Sequence, residues 1–180
     1  MAENDLIKIN STYMHTNPWF KTREDTVRRA DGSETDFYVV ECPTGAFIVP
    51  VTDDGKIVLV QLFRYRTQRG GWEVPAGSVD DDEDFEAAAR RELQEETGYI
   101  AGEVQELTPS FDSMNGVCDG VGHVFLATAL QQTGDDEKAE EGITNVQAFT
   151  KEQIMDMIAS GEIVDGLSIA ALFKYFITTK

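Results

Sequence analysis

Cysteine, histidine, proline and positive charge are all scarce in this 180-residue chain. Its two cysteines, Cys42 and Cys118, lie far apart and form no CxxC pair, so no structural disulfide is expected and buried free thiols are the simplest reading. No run of about 18 apolar residues exists, so no membrane span or membrane partner is expected. The first residues are polar and acidic, without the basic start and apolar core of a signal peptide, and the cytoplasm is the expected location. Fifteen Lys and Arg face 33 Asp and Glu, a net charge of −18. Such a surface repels phosphate backbones and argues against nucleic acid as a partner. A small phosphate-containing substrate would need metal ions or local arginines to offset that field. The acidity also fits a role in solubility or a saline habitat, and composition does not separate these. No internal repeat or low-complexity tract is present.

What remains is ordinary for one compact globular domain: 41% hydrophobic and 27% charged residues, enough to bury a core. Residues 1–16 read as a loose start. Residues 36–41, 46–52 and 56–65 are rich in Val, Ile, Phe and Tyr and read as strands, with a further strand near 19–28. Asp31-Gly32 and Asp53-Asp54-Gly55 mark tight turns. Residues 72–77 form a short strand ending in a glycine, which permits a sharp turn and close backbone approach to a ligand. Residues 84–97 read as a helix with Gly98 as its stop. Strand character returns over 103–109, 120–130 and 144–149, with an acidic loop at 131–142. Thr150 and Gln153 fit a capping box for a helix to about residue 160, and residues 165–178 form a last helix. Strands, one central helix, more strands and two helices give an α+β class with a mixed sheet and helices packed on it.

The helix 84–97 carries the chemistry. At 100° per residue Phe85, Ala88, Ala89 and Leu93 form an apolar stripe, while Arg90 and Gln94 point away from it. Glu92, Glu95 and Glu96 fall within or beside the stripe, and their spacing converges them on one side. Crowded, inward-leaning carboxylates repel one another and lose hydration, at a cost of several kcal/mol per ion. A hard cation with oxygen ligands relieves both problems. The competing reading, a solvated acidic face partnered by Arg90 or Arg91, conflicts with this angular phase. Ala76, just before the turn, offers a carbonyl as a further oxygen ligand.

Residues 77–99 match the Nudix box, G-x5-E-x7-R-E-U-x-E-E-x-G-U with U apolar, at Gly77, Glu83, Arg91, Glu92, Glu95, Glu96 and Gly98; Tyr99 at the last U is a mild departure. The chain thus resembles the Nudix hydrolases. That resemblance implies an α/β/α sandwich and hydrolysis of a nucleoside diphosphate linked to another moiety. It implies Mg²⁺, with Mn²⁺ as the alternative, on Glu92 and Glu96, with Glu95 assisting and the Ala76 carbonyl completing the set. Arg91 would orient the glutamates. Glu83 would brace the loop–helix junction or help hold metal. The ions would neutralise the pyrophosphate and acidify an attacking water.

Flanking segments resemble the ADP-ribose and nucleoside-diphosphate-sugar pyrophosphatase branch. They include Asn17-Pro18-Trp19-Phe20, residues 58–65 and 72–77, and the stretch beginning at Gly161. The branch implies residues 1–42 as a small antiparallel sheet exchanged across a homodimer, and residues 43–180 as the hydrolase domain. Trp19 and Phe37 then stack on the base or simply pack within the small sheet. Arg64 would contact phosphate or ribose, and Glu73 the base or the metal shell. A glutamate of the later acidic loop would act as base, with Glu141 preferred to Glu140. The branch commonly shows a Ser-Pro-Gly-like stretch followed by an acidic pair; here Ser113-Met114-Asn115-Gly116 and Cys118-Asp119-Gly120 depart from it. The sugar is therefore left open between ADP-ribose and others such as GDP-mannose or ADP-glucose. A house-cleaning triphosphate hydrolase is disfavoured by the long N-terminal extension, and a non-hydrolytic sensor by retention of all four box glutamates.

Overall fold

The computed structural model describes residues 6–114, 116–134, 136 and 138–179. Asn115, Asp135 and Glu137 of the two loops singled out above lie outside the described residues. The chain divides into two compact units, residues 1–44 with 112–121, and residues 45–111 with 122–180. No helix among the described residues is long and apolar enough to cross a membrane.

The smaller unit is an antiparallel sheet in the order β1-β2-β3, from β1 (Ile7–Thr16), β2 (Lys21–Arg28) and β3 (Glu34–Glu41). The loose start expected over residues 1–16 is corrected: ten of these residues form a strand. β1 is exposed along its whole length, so no buried alternation marks it in the sequence. Backbone pairing to β2 makes it, from Ile7 opposite Arg28 to Thr16 opposite Lys21, with two register shifts. The strand expected near Trp19 begins only at Lys21, because the Asn17 side chain accepts the amides of Trp19 (2.8 Å) and Phe20 (3.0 Å) and fixes a turn. Buried thiols are also corrected: Cys42 is exposed and Cys118 half-buried. Both sit at the periphery of a thin sheet with little depth to hide them.

The larger unit holds two sheets. One is β10-β5-β6, from β10 (Ile143–Phe149), β5 (Ile57–Arg64) and β6 (Arg69–Glu73). The other is β7-β4-β9-β8, from β7 (Ala76–Ser78), β4 (Gly45–Pro50), β9 (Val121–Gln132) and β8 (Tyr99–Asp112). β4 runs parallel to β9 and antiparallel to β7, so this sheet is mixed. The single strand expected over 72–77 is in fact two strands in different sheets. Pro75 has no N–H to continue a ladder, and its carbonyl instead accepts from Ile48 N at 2.8 Å.

β4 shows why helices cover both faces. Its side chains alternate, as a strand requires. Ala46 and Ile48 pack with Ala88, Ala89 and Leu93 of α1 (Phe85–Thr97) and with Phe125 and Ala127 of β9. Val49 faces the opposite cluster, with Leu59, Trp72 and Phe149. That cluster includes Ile154 and Met157 of α2 (Lys151–Ser160) and Ala171 and Leu172 of α3 (Gly166–Thr178). The result is an α+β unit in which a mixed sheet lies between helices, as expected. The capping box on α2 is present: Thr150 accepts from Gln153 N, and the Gln153 side chain accepts from Thr150 N. Phe85 leaves the expected apolar stripe. It lies at the first turn of α1, 39% exposed, stacked on His123 at 3.7 Å between ring centres. Arg90 is not free in solvent but donates to Glu86 and to the Ala101 carbonyl.

Candidate active site

The site is built where β6, β7 and α1 meet in the larger unit. α1 begins at the N-cap Asp84, whose side chain accepts from Ala87 N at 2.8 Å. It ends at Gly98, where φ is +73° and the amide returns to Gln94 O; this left-handed turn favours glycine. One turn before that stop, Glu92 and Glu96 are only 8% and 7% exposed, on the helix face that also buries Leu93.

Each carboxylate has a distinct environment. Burial pushes the Glu92 carboxyl up, opposed by its hydrogen bond and ion pair with Arg91. Burial pushes Glu96 up further, to about 8, against the pull of the Ala76 amide, which donates to its Oε2 at 3.0 Å. Repulsion from Glu92 and Glu141 raises Glu96 as well, and Arg64 lowers it. Glu95 is more open and ties to Arg91 at 3.1 Å.

Arg91 organises the group. Its Nε and Nη2 grip Glu83 bidentately at 3.0 and 2.8 Å. Nη1 reaches Glu92 Oε1 at 2.7 Å and Glu95 Oε2 at 3.1 Å, and Nη2 also donates to Ser78 O at 3.0 Å. These contacts hold the Arg91 guanidinium firmly charged and the Glu83 carboxyl below its ordinary range. Glu83 is thereby committed to the loop–helix junction, and it also accepts from Asp80 N.

Gly77 supplies the room. A Cβ placed there would lie 1.9 Å from Glu92 Oε1 and 2.3 Å from Oε2, so the Glu92 carboxylate occupies the space of a missing side chain. A second ion pair lies at the end of β5 and β6. Arg64 donates from Nε and Nη2 to the two Glu73 oxygens at 3.0 and 2.6 Å. Glu73 is buried; the Arg64 side chain is 59% exposed, so its outer surface faces solvent. The charges of Asp165 and Glu96 also bear on Arg64.

Other sequence candidates fall as follows. Glu140 and Glu141 lie exposed in the turn before β10, and the charge of Glu141 bears on both Glu92 and Glu96. Trp19 and Phe37 belong to the smaller unit, 75% and 42% exposed. Three participants escaped the sequence reading. The Ser78 carbonyl and the Ala76 amide are backbone groups that no side-chain pattern reveals. Asp165 caps α3 through Ser168 N at 2.7 Å, and its placement near Arg64 follows only from the fold.

Among the described residues no three acidic, histidine or cysteine side chains already converge on one point as a metal shell. Arg91 and the Ala76 amide hold the carboxylates instead. The donor set nevertheless fits a hard divalent cation. Three carboxylates, Glu83, Glu92 and Glu95, share the single guanidinium of Arg91, a fourth, Glu96, lies buried on the Ala76 amide, and buried Glu92 fills the glycine cradle.

The chain resembles solved and curated proteins over most of its length. Its fold is shared with a structure described as an ADP compounds hydrolase, at a TM-score of 0.84 and 18% identity, covering 97% of this chain and 94% of that one. It is 34% identical to the ADP-ribose pyrophosphatase of Mycobacterium tuberculosis, over 99% of this chain and 87% of that protein. It is 32% identical to the ADP-ribose pyrophosphatase of Bacillus subtilis, over 82% and 80%. It is 35% identical to the GDP-mannose pyrophosphatase of Klebsiella pneumoniae, over 86% and 83%. Residues 7–40 match the nucleoside diphosphate sugar hydrolase N-terminal domain. Residues 43–168 match the NUDIX domain, a span that contains the whole Arg91-centred carboxylate group, and the chain belongs to the NUDIX family of hydrolases.

Proposed function

We propose that this hydrolase cleaves the pyrophosphate bond of a nucleoside diphosphate sugar, ADP-ribose or a related compound such as GDP-mannose, to a nucleoside monophosphate and a sugar phosphate. The observation that carries it is the pair of buried carboxylates, Glu92 and Glu96, packed against the Gly77 cradle and the Ala76 amide. The named relatives act on substrates of this class, which supports the choice.

Mg²⁺, or Mn²⁺, held by Glu92 and Glu96 with Glu95 and the Ala76 carbonyl, would neutralise pyrophosphate oxygens and act as Lewis acid toward the attacking water. The remaining work falls to the chain. Arg91 holds Glu92 and Glu95 in place and ties them to the β7 turn through Ser78. Arg64, positioned by Glu73, presents its exposed guanidinium to a substrate phosphate or ribose. Glu141 accepts the proton of the water, since its charge bears on the same two glutamates. Displacement at phosphorus then needs alignment more than covalent catalysis.

The protein acts as a homodimer through its N-terminal strands. β1 is the edge of its sheet, ten residues long and exposed throughout, with Ile7, Ile9, Tyr13 and Met14 at its surface. A long apolar edge of this kind calls for a partner strand or surface. Trp19 and Phe37, on the same unit, are the candidates to stack on the base.

A panel of nucleotide sugars with Mg²⁺, read by release of phosphatase-sensitive phosphate, tests the substrate class. ADP-ribose or a nucleoside diphosphate hexose should be turned over in preference to nucleoside triphosphates. Turnover of triphosphates alone would overturn the assignment. Light scattering tests the dimer, and a particle of single-chain mass would remove it.

A further inference from the structure

The two cysteines, 76 positions apart in the chain, meet in the smaller unit. β3 pairs there with the segment that follows Gly116. Val40 and Cys118 are parallel bridge partners, Val40 N donates to Val117 O at 2.7 Å, and Asp119 N donates to Val40 O at 3.1 Å. This register sets Cys42 opposite Gly120 and diagonal to Cys118 on one face of the pleat. Gly120 makes the diagonal contact close. A Cβ on it would lie 3.1 Å from Cys42 Cβ and 3.2 Å from Cys118 Sγ, so both cysteines lean into the space its side chain would fill. Each thiol also bears on the other's ionisation.

Their surroundings differ. Cys118 Sγ accepts from Gly120 N at 3.2 Å, and the Ser113 hydroxyl lies 3.6 Å away, shared with Gly120 O at 2.9 Å. These donors favour its thiolate and bring Cys118 below the ordinary thiol value despite some burial. Among the described residues Cys42 has no such cradle; burial, then the neighbouring Cys118 thiol, pushes it up to about 11. Its backbone amide instead donates to Asp119 Oδ1 at 3.2 Å, which holds the strand end against the loop.

We propose that Cys42 and Cys118 form a reversible dithiol–disulfide pair that reacts with low-molecular-weight disulfides, with Cys118 as the attacking and Cys42 as the resolving thiol. The Cys118 thiolate attacks one sulfur of the small disulfide. The S–S bond breaks, one thiolate leaves and takes a proton from solvent, and Cys118 carries a mixed disulfide. The Cys42 thiol then loses its proton, its sulfur attacks Cys118 Sγ, and the second small thiol departs. Two protein thiols are oxidised to one disulfide, and one small disulfide is reduced to two thiols. The product joins the end of β3 to the 113–120 loop. Such a pair in a reducing compartment is a sensor and not a staple.

The test uses the full chain and hydroxyethyl disulfide, a neutral probe that avoids repulsion by the acidic surface. Intact mass and alkylation under denaturing conditions should show wild-type protein losing two hydrogens, both thiols becoming unreactive, and peptide mapping joining Cys42 to Cys118. C42S should instead stop at a single stable adduct on Cys118. C118S should react about ten-fold more slowly or worse, because the resolving thiol alone is a poor nucleophile. Gly120→Val should fill the shared space and slow intramolecular closure while leaving both thiols present, with circular dichroism confirming the fold. Two independent adducts on wild-type protein, no oxidation in excess probe, or equal rates for the single-cysteine variants would overturn the proposal.

Discussion

Replacing Gly77 by alanine isolates the geometric heart of the site with a single methyl group. The new Cβ would stand 1.9, 2.0 and 2.3 Å from the Oε1, Cδ and Oε2 atoms of Glu92. Relief to ordinary contact at roughly 3.4 Å demands that the carboxylate move by more than about 1 Å. Glu92 is 8% exposed and held by Arg91 Nη1 at 2.7 Å, so it has little open space to enter. Overpacking of this kind costs about 1–3 kcal/mol of stability. A 1 Å misplacement in a reaction that depends on alignment costs on the order of 10²-fold in rate. Gly77→Ala should therefore lower kcat by about 10²-fold and weaken Mg²⁺ binding measured calorimetrically, while denaturant melts show a modest loss. The decisive control is the same substitution in a Glu92→Ala background, where the obstructing carboxylate is gone and the stability penalty should largely vanish. Full activity in Gly77→Ala, or an undiminished stability penalty without Glu92, would refute the cradle.

Three further outcomes follow from the site, the core and the smaller sheet. Glu96→Gln should lose almost all turnover with an unchanged circular dichroism spectrum, and chelation should mimic it reversibly, with Mg²⁺ restoring wild-type activity only; full activity in the variant would sink the metal assignment. Leu93→Ala, at a fully buried position between α1 and β4, should cost about 2–5 kcal/mol in denaturant melts. Asp25 is held below its ordinary value of 3.8 first by the Ser11 hydroxyl and then by Arg23. A carboxyl depressed in the fold stabilises it above the unfolded value and loses that contribution as pH falls through the still lower folded value. The N-terminal sheet should thus weaken below about pH 3.8 by a margin that Asp25→Asn no longer shows, read from melts across pH.

The sequence made some of this legible because side-chain pattern and structure share a cause. α1 was readable because its apolar period and its Gly98 stop both follow from helix geometry, and the inward phase of Glu92 and Glu96 came with it. β4 and β5 were readable because burial on both faces requires near-continuous apolar residues. β1 was not, because pairing and not burial makes it a strand. The break between β6 and β7 was hidden because Pro75 and Val74 continue the apolar run while the backbone changes sheet. Donors such as the Ala76 amide are sequence-blind, since every residue but proline carries one. The meeting of Cys42 and Cys118 depends on one parallel bridge between distant segments, which no local spacing encodes.

Arg91 has five N–H hydrogens, and the structure gives them five partners: both oxygens of Glu83, one each of Glu92 and Glu95, and the carbonyl of Ser78. An ammonium group offers three hydrogens from a single point, so lysine at 91 would keep the charge yet abandon at least two of these acceptors. Glu92 and Glu95 each meet the guanidinium through one oxygen, which aims the second lone-pair set of each in a fixed direction. The arginine thus acts as a jig. At the proposed metal site it would decide which edge of each carboxylate an arriving cation meets, and a like-charged replacement would leave those edges free to rotate.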